Sequence, residues 1–406
     1  MTSICFHRFC RAIVLLAALL EFSANAESSY IFTNATPTAI PRRASIIFIQ
    51  CDGLGYGDLS CYGQTKFQTP NLDQLAAEGI RFTNYFAAGA NSPSCTALML
   101  GKNPAHLRQR ADMDVPLAAD DITVAQLLKN SGYHTGLIGE WNLGDENSSG
   151  APWKKGFDEF AGYLNPADAE NYYADYMFHY APKGILNVTN NQREDYIGRE
   201  MLYHNTGGNH ETYIPDLLTK AALNFVNNNQ PDKFNRFRPF FLLLNYTIPH
   251  AGKTLQVPTD APFSDEPWPQ PEKDKAAIIS RLDGYIGELQ QQLQKLGLTN
   301  NVAIFFTSDT APKKSAEIDP DFFHSNISTN DLRVPMIVHW PGNVPAGRVS
   351  SLPWSAQDFA PTALQIAYAK PGSDVTGISI LPALLGWPGT NTPALPDRPD
   401  FPHRSF

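Results

Sequence analysis

Four short apolar runs constrain this chain most. Residues 45–50 (SIIFIQ), 239–245 (PFFLLLN), 302–307 (VAIFFT) and 334–339 (VPMIVH) are apolar almost throughout, without the alternation of a half-exposed strand. Such runs suit strands of a parallel sheet covered on both faces. Between them lie segments with apolar residues at helical spacing: 71–78, 124–130, 214–227 and 273–296. Strands alternating with helices predict an α/β three-layer sandwich around a mostly parallel central sheet. Residues 145–213 are aromatic and Asn-rich, and read as irregular excursions over one face of the sheet.

The 406 residues suffice for one large domain or two modest ones. A net charge of −9 argues against nucleic acid and anionic membrane surfaces as partners. Residues 1–26 read as a signal peptide: His7, Arg8 and Arg11 are basic, residues 12–20 (AIVLLAALL) are apolar but too short to span a bilayer, and Ala24-Asn25-Ala26 offers a cleavage site. The expectation is a secreted or periplasmic protein, with no membrane contact after signal removal. Residues 27–44 read as a linker, 45–390 as the α/β domain and 391–406 as a Pro-rich tail. Cys5 and Cys10 leave with the signal, so Cys51, Cys61 and Cys95 permit at most one disulfide. The ten-residue separation of Cys51 and Cys61 leaves their pairing open.

In open α/β sheets, function gathers at the carboxyl ends of the strands. Three of the runs end in polar residues: Asp52 after the first, Thr247 to His250 after the second, Asp309 and Thr310 after the third. One such Asp by itself reads as a turn or helix cap. Asp52, His250 and Asp309 at three strand ends predict a site.

The segment 52–83 (DGLGYGDLSCYGQTKFQTPNLDQLAAEGIRFT) resembles the first motif of the sulfatase family, in the alkaline-phosphatase-like superfamily. Residues 92–101 (SPSCTALMLG), 135–145 (TGLIGEWNLGD), 239–250, 305–309, 332–342 and 357–362 follow in that family's order. The resemblance implies the alkaline-phosphatase-like fold. It also implies a chemistry in which a Cys of C-x-P-S-R matures to formylglycine and attacks sulfur. Calcium held by three Asp and an Asn orients the sulfate, and Arg, Lys and His offset its charge.

This chain departs from that pattern at most positions. Asp52, His250 and Asp309 match it. Gly53 replaces the second Asp, Asn91 the nucleophilic Cys, and Cys95 the motif's Arg. Glu140 replaces a Lys, Asn142 a His, Thr310 the Asn and His324 the last Lys. No formylglycine is expected. Two rescues would restore a nucleophile: Cys95, which opens C-x-A-x-M, or Ser92, if the alignment slides by one residue.

These replacements turn a cationic pocket acidic. Each lost donor should remove roughly 3 kcal/mol of transition-state stabilisation. Asp52 and Asp309, helped by Asn91 and Thr310, supply hard oxygens suited to calcium or magnesium. His250, His324 and Glu140 offer a transition-metal alternative. The leading expectation is a catalytically impaired pseudo-sulfatase. The alternatives are an active sulfuric ester hydrolase of arylsulfatase type with a remodelled site, or a metal-dependent phosphoesterase. By resemblance the partners are a sulfated glycan or an aryl sulfate ester. The family's C-terminal subdomain looks cut short after residue 393, which would expose an edge to a protein partner.

Overall fold

The computed structural model describes residues 43–88, 91–107, 115–187, 192–230, 238–250, 255–310 and 332–386. The boundaries expected for the signal peptide and the tail, and His324, lie outside these residues.

The first two apolar runs become β1 (Ser45–Cys51) and β8 (Phe240–Tyr246), and the third becomes β9 (Val302–Ser308). All three are buried along their whole length. Side chains alternate across a strand, so each run feeds two cores. Ile46 and Phe48 of β1 face one core with Leu98, Leu128 and Phe359. Ile47 and Ile49 face the other with Leu75, Leu218 and Ile286. The helices Asn91–Leu100, Val124–Asn130 and Phe359–Ile366 thus cover one face, and Pro70–Ala77, Ile214–Asn228 and Gln270–Lys295 the other. The result is the expected three-layer sandwich.

The remaining strands are β2 (Ile80–Phe82), β3 (Tyr85–Phe86), β4 (His134–Glu140), β5 (Glu159–Tyr163), β6 (Tyr176–Asn187), β7 (Gln192–Met201), β10 (Met336–His339), β11 (Arg348–Ser350) and β12 (Trp354–Ser355). The main sheet runs β11-β2-β10-β9-β1-β8-β4-β5-β6-β7, while β12 and β3 form a separate pair. Its central strands β9, β1, β8, β4 and β5 are mutually parallel.

Two expectations need correction, and one strand went unread. The run at 334–339 does form a strand, but β10 lies antiparallel to both β9 and β2. Burial on both faces makes a strand apolar whichever way it runs, so the pattern carried no direction. Residues 145–213 do not simply cross a face of the sheet. They extend its edge as β5 and the antiparallel pair β6–β7, with the Arg199 guanidinium over the rings of Tyr176 and Phe178. The strand β4 escaped the apolar pattern because glycines interrupt it. Gly139 has φ +108°, and a Cβ there would stand 1.7 Å from the Asn245 carbonyl oxygen, so only glycine fits between β4 and β8. Cys51, Cys61 and Cys95 are all free thiols, which answers the question left open for the first two. Among the described residues no helix is long and apolar enough to cross a membrane.

Candidate functional site

Four adjacent parallel strands, in the order β9, β1, β8, β4, end on the same side of the sheet. Asp309 follows β9, and its amide donates to the Cys51 carbonyl at 2.9 Å. Asp52 follows β1, and its amide donates to the Ile248 carbonyl at 3.3 Å. His250 lies four residues beyond β8, while Glu140 ends β4 and Asn142 follows two residues later.

His250 is held from two sides. Its Nδ1 is 3.0 Å from Asp52 Oδ2, and its Nε2 is 3.5 Å from Glu170 Oε1 on the rim. The Tyr172 hydroxyl lies 2.9 and 2.8 Å from the carbonyl oxygens of Thr247 and His250, which fixes the loop carrying the imidazole. The other oxygen of Asp52 accepts from the Thr310 hydroxyl at 3.4 Å.

On the β4 side, the Asn142 side-chain amide donates to Glu140 Oε1. The Asn245 amide donates to the Glu140 carbonyl at 2.9 Å. Asn142 adopts φ +58°, a left-handed conformation that Asn tolerates better than most residues. Asp309 is buried at these strand ends. Burial pushes its carboxyl well above the usual range, and the charges of Asp52 and Glu140 push it further. Hydrogen bonds from the Thr310 hydroxyl and the Gly53 amide oppose that rise. Asp309 Oδ1 has no hydrogen-bond partner.

Cys95 is 1% exposed, and its thiol lies 3.8 Å from the Trp141 carbonyl oxygen. Burial first, then the charges of Asp309 and Glu140, push the thiol up, so it is protonated at neutral pH. Burial and a neutral thiol both count against the rescue by Cys95. Asn91 opens the helix Asn91–Leu100, and the position of its side chain, like that of Ser92, lies outside the described residues. Asp52, Glu140, Asn142, His250, Asp309 and Thr310 are therefore brought together, while His324 and the side chain of Asn91 are not described.

Sequence reasoning missed four contributors. Asn245 interrupts an apolar strand with an amide, a signal available in the run itself. Ser94 donates to the Asp309 carbonyl at 2.7 Å, and nothing in the sequence announces that contact. Glu170 and Tyr172 sit in the segment read as irregular.

The retained oxygens fit the family's calcium poorly. Calcium takes about six to eight oxygens. Asp52 already serves His250 and Thr310, and Gly53 supplies no carboxylate. Gly53 has φ +73°, a conformation that Asp tolerates better than most residues, and a Cβ there would stand 3.6 Å from the His250 Cα, so what is missing at this position is the carboxylate and not the space. Among the described residues no three His, Cys, Asp or Glu side chains converge as metal ligands do.

A large α/β sheet with helices on both faces and acidic strand ends is the architecture of an alkaline-phosphatase-like hydrolase. Comparison narrows this. The family model Sulfatase matches residues 44–369. The N-acetylgalactosamine-6-sulfatase of Canis lupus familiaris is 30% identical over 396 residues, spanning 90% of this chain and 69% of that protein. Arylsulfatase A of Homo sapiens is 28% identical over 375 residues, spanning 89% and 71%. Among solved structures, Ps i-CgsB in complex with k-i-k-neocarrahexaose superposes with a TM-score of 0.67 at 29% identity, over 84% of this chain and 76% of that one. The chain belongs to the sulfatase family.

Proposed function

We propose that this chain is a sulfatase-family protein that does not hydrolyse sulfate esters. The observation that carries this reading is that Glu140, Asp52 and Asp309 stand at the ends of parallel strands on one side of the sheet, with the charges of Glu140 and Asp52 both bearing on the buried Asp309. Among the described residues, a sulfate ester entering the cleft would meet the carboxylates of Asp52, Glu140 and Asp309, with the His250 imidazole already held by Asp52. Asn91, in place of the nucleophilic Cys, has no thiol to mature to formylglycine. Loss of a nucleophile from a coupled site costs about a million-fold in turnover.

On this reading the relatives' ligands define the range of partners. The similar structure holds a neocarrahexaose, and the similar enzymes are named for sulfated sugars and aryl sulfates. A glycan bound without cleavage is the partner class that follows. Calcium, which the resemblance would place on Asp52, Asp309 and Thr310, is not expected to bind tightly, because Asp52 already serves His250 and Thr310 and no carboxylate stands at Gly53. The signal at 1–26 directs secretion, and residues 45–390 act as one domain. The edge strand β11, with Val349 56% exposed, is where a protein partner would sit.

The test is an assay of the purified chain on an aryl sulfate and an aryl phosphate, with calcium and then zinc. No turnover above that of Asp309→Ala supports the reading. Turnover of either ester that disappears in Asp309→Ala overturns it.

A further inference from the structure

A cavity of about 220 Å³ lies between the helix Gln270–Lys295 and the segment 257–262, and none of the cleft residues lines it. Gln256, just before that segment, accepts from the Tyr172 amide at 3.1 Å, and Tyr172 in turn holds the His250 carbonyl. The cavity therefore borders the chain that fixes the cleft loop. Its lining is mostly apolar. Val257, Pro258 and Pro262 come from the segment, and Ala277 and Ile278 from the helix, one turn before Arg281 on the same face.

Three polar side chains line the same space: Thr259, Ser280 and Arg281. Asp216 holds the Arg281 guanidinium side-on, accepting from Nε at 3.0 Å and from Nη2 at 2.7 Å. The Tyr285 hydroxyl donates to the same carboxylate, and the guanidinium carbon stands 5.4 Å from the centre of the Tyr213 ring. The fork is thus fixed without use of its end: among the described residues Nη1 has no hydrogen-bond partner, and neither has Ser280 Oγ. The Thr259 hydroxyl accepts from the Ala261 amide at 3.1 Å and keeps its own proton to donate. The acidic side chains of these two elements do not line the cavity: Asp260 and Asp274 both accept from the Gln270 amide, at 3.1 and 2.8 Å, and the charge of Lys273 offsets Asp260.

Unused donors beside an apolar lining, in a space below the size of an ordinary drug site, suit a compact apolar molecule that ends in acceptors. The free end of a guanidinium matches both oxygens of a carboxylate, which a single amide oxygen does not. We infer that this cavity binds a small carboxylate with an apolar body, the carboxylate on Arg281 and Ser280 and the body against Val257, Pro262 and Ile278.

The inference does not depend on the non-hydrolytic reading, and neither outcome below bears on sulfate turnover. The full chain is titrated at pH 7 with benzoate and with benzamide, followed by ligand-observed NMR. The expected result is saturable benzoate binding in the millimolar range of so small a ligand, with benzamide at least tenfold weaker. Benzoate binding should fall at least tenfold in Arg281→Gln, the loss expected of a charge-assisted pair. It should disappear in Ala277→Leu, which fills the cavity and leaves the Arg281–Asp216 pair in place. No saturable binding of benzoate overturns the inference, as does equal binding of the two probes. Unchanged binding in Ala277→Leu puts the ligand elsewhere and overturns it too. Should Arg281→Gln fail to fold, the two probes and Ala277→Leu still decide.

Discussion

His250 Nδ1 stands 3.0 Å from Asp52 Oδ2, tying the loop beyond Phe240–Tyr246 to the residue after Ser45–Cys51. Each oxygen of Asp52 thus already has one partner, the imidazole on Oδ2 and the Thr310 hydroxyl on Oδ1, which leaves fewer lone pairs for a cation. Calcium at about 1 mM should therefore raise the Tm of the chelated protein little, since stabilisation scales with the logarithm of concentration over Kd. The combined change Gly53→Asp and Thr310→Asn should make a calcium-dependent Tm rise appear. A large rise in the unaltered chain would contradict the weak site.

Asp309 should destabilise the fold when ionised. Its folded carboxyl is held above the usual range by burial, with Asp52 and Glu140 adding to the effect. The folded state therefore binds the proton more tightly than the unfolded chain does. Stability falls as pH rises from the unfolded carboxylate value of about 3.9 through the higher folded one, and the penalty is complete above that. In chelator at pH 7, Asp309→Asn should raise the Tm, and it should flatten this part of the pH profile. A lower Tm at pH 7 would contradict the assignment.

The thiols should be quiet. Burial and the neighbouring Asp73 push Cys61 up to about 12. Cys51 and Cys95 are raised by burial and by cleft carboxylates. Thiolate is the reactive form, so iodoacetamide at pH 8 should leave all three unmodified in the native protein and label them after denaturation. Rapid native labelling of Cys95 would reopen it as a nucleophile.

The ion pair between Lys275 and Asp58 is a point of structural fragility. Lys275 Nζ lies 3.2 and 3.1 Å from the two oxygens of Asp58, which is 0% exposed and also accepts from the Gly55 amide at 2.7 Å. Lys275→Met leaves a buried carboxylate without its cation, a loss of about 3–5 kcal/mol. Denaturant unfolding measures it. A change below about 1 kcal/mol would show that the carboxylate is solvated by other means.

The central sheet was legible because burial on both faces leaves an unbroken apolar run, as in 45–50 and 302–307. Strand direction was not, as β10 shows, because a run encodes burial and not polarity. The strand His134–Glu140 was hidden by Gly136 and Gly139, which close packing requires. Of the site, the residues at strand ends could be read from position, since Asp52 and Asp309 directly follow apolar runs. Contacts that depend on the approach of distant loops, such as Glu170 to His250 and Ser94 to the Asp309 carbonyl, have no local signature.

The most direct measurement is turnover of an aryl sulfate by the purified chain, beside a peptide mass across residues 91–96. The account predicts turnover no greater than that of Asp309→Ala, and an unmodified Asn91-Ser92-Pro93-Ser94-Cys95-Thr96 peptide. Turnover lost in Asp309→Ala, or a formylglycine or covalent adduct within that peptide, would contradict it.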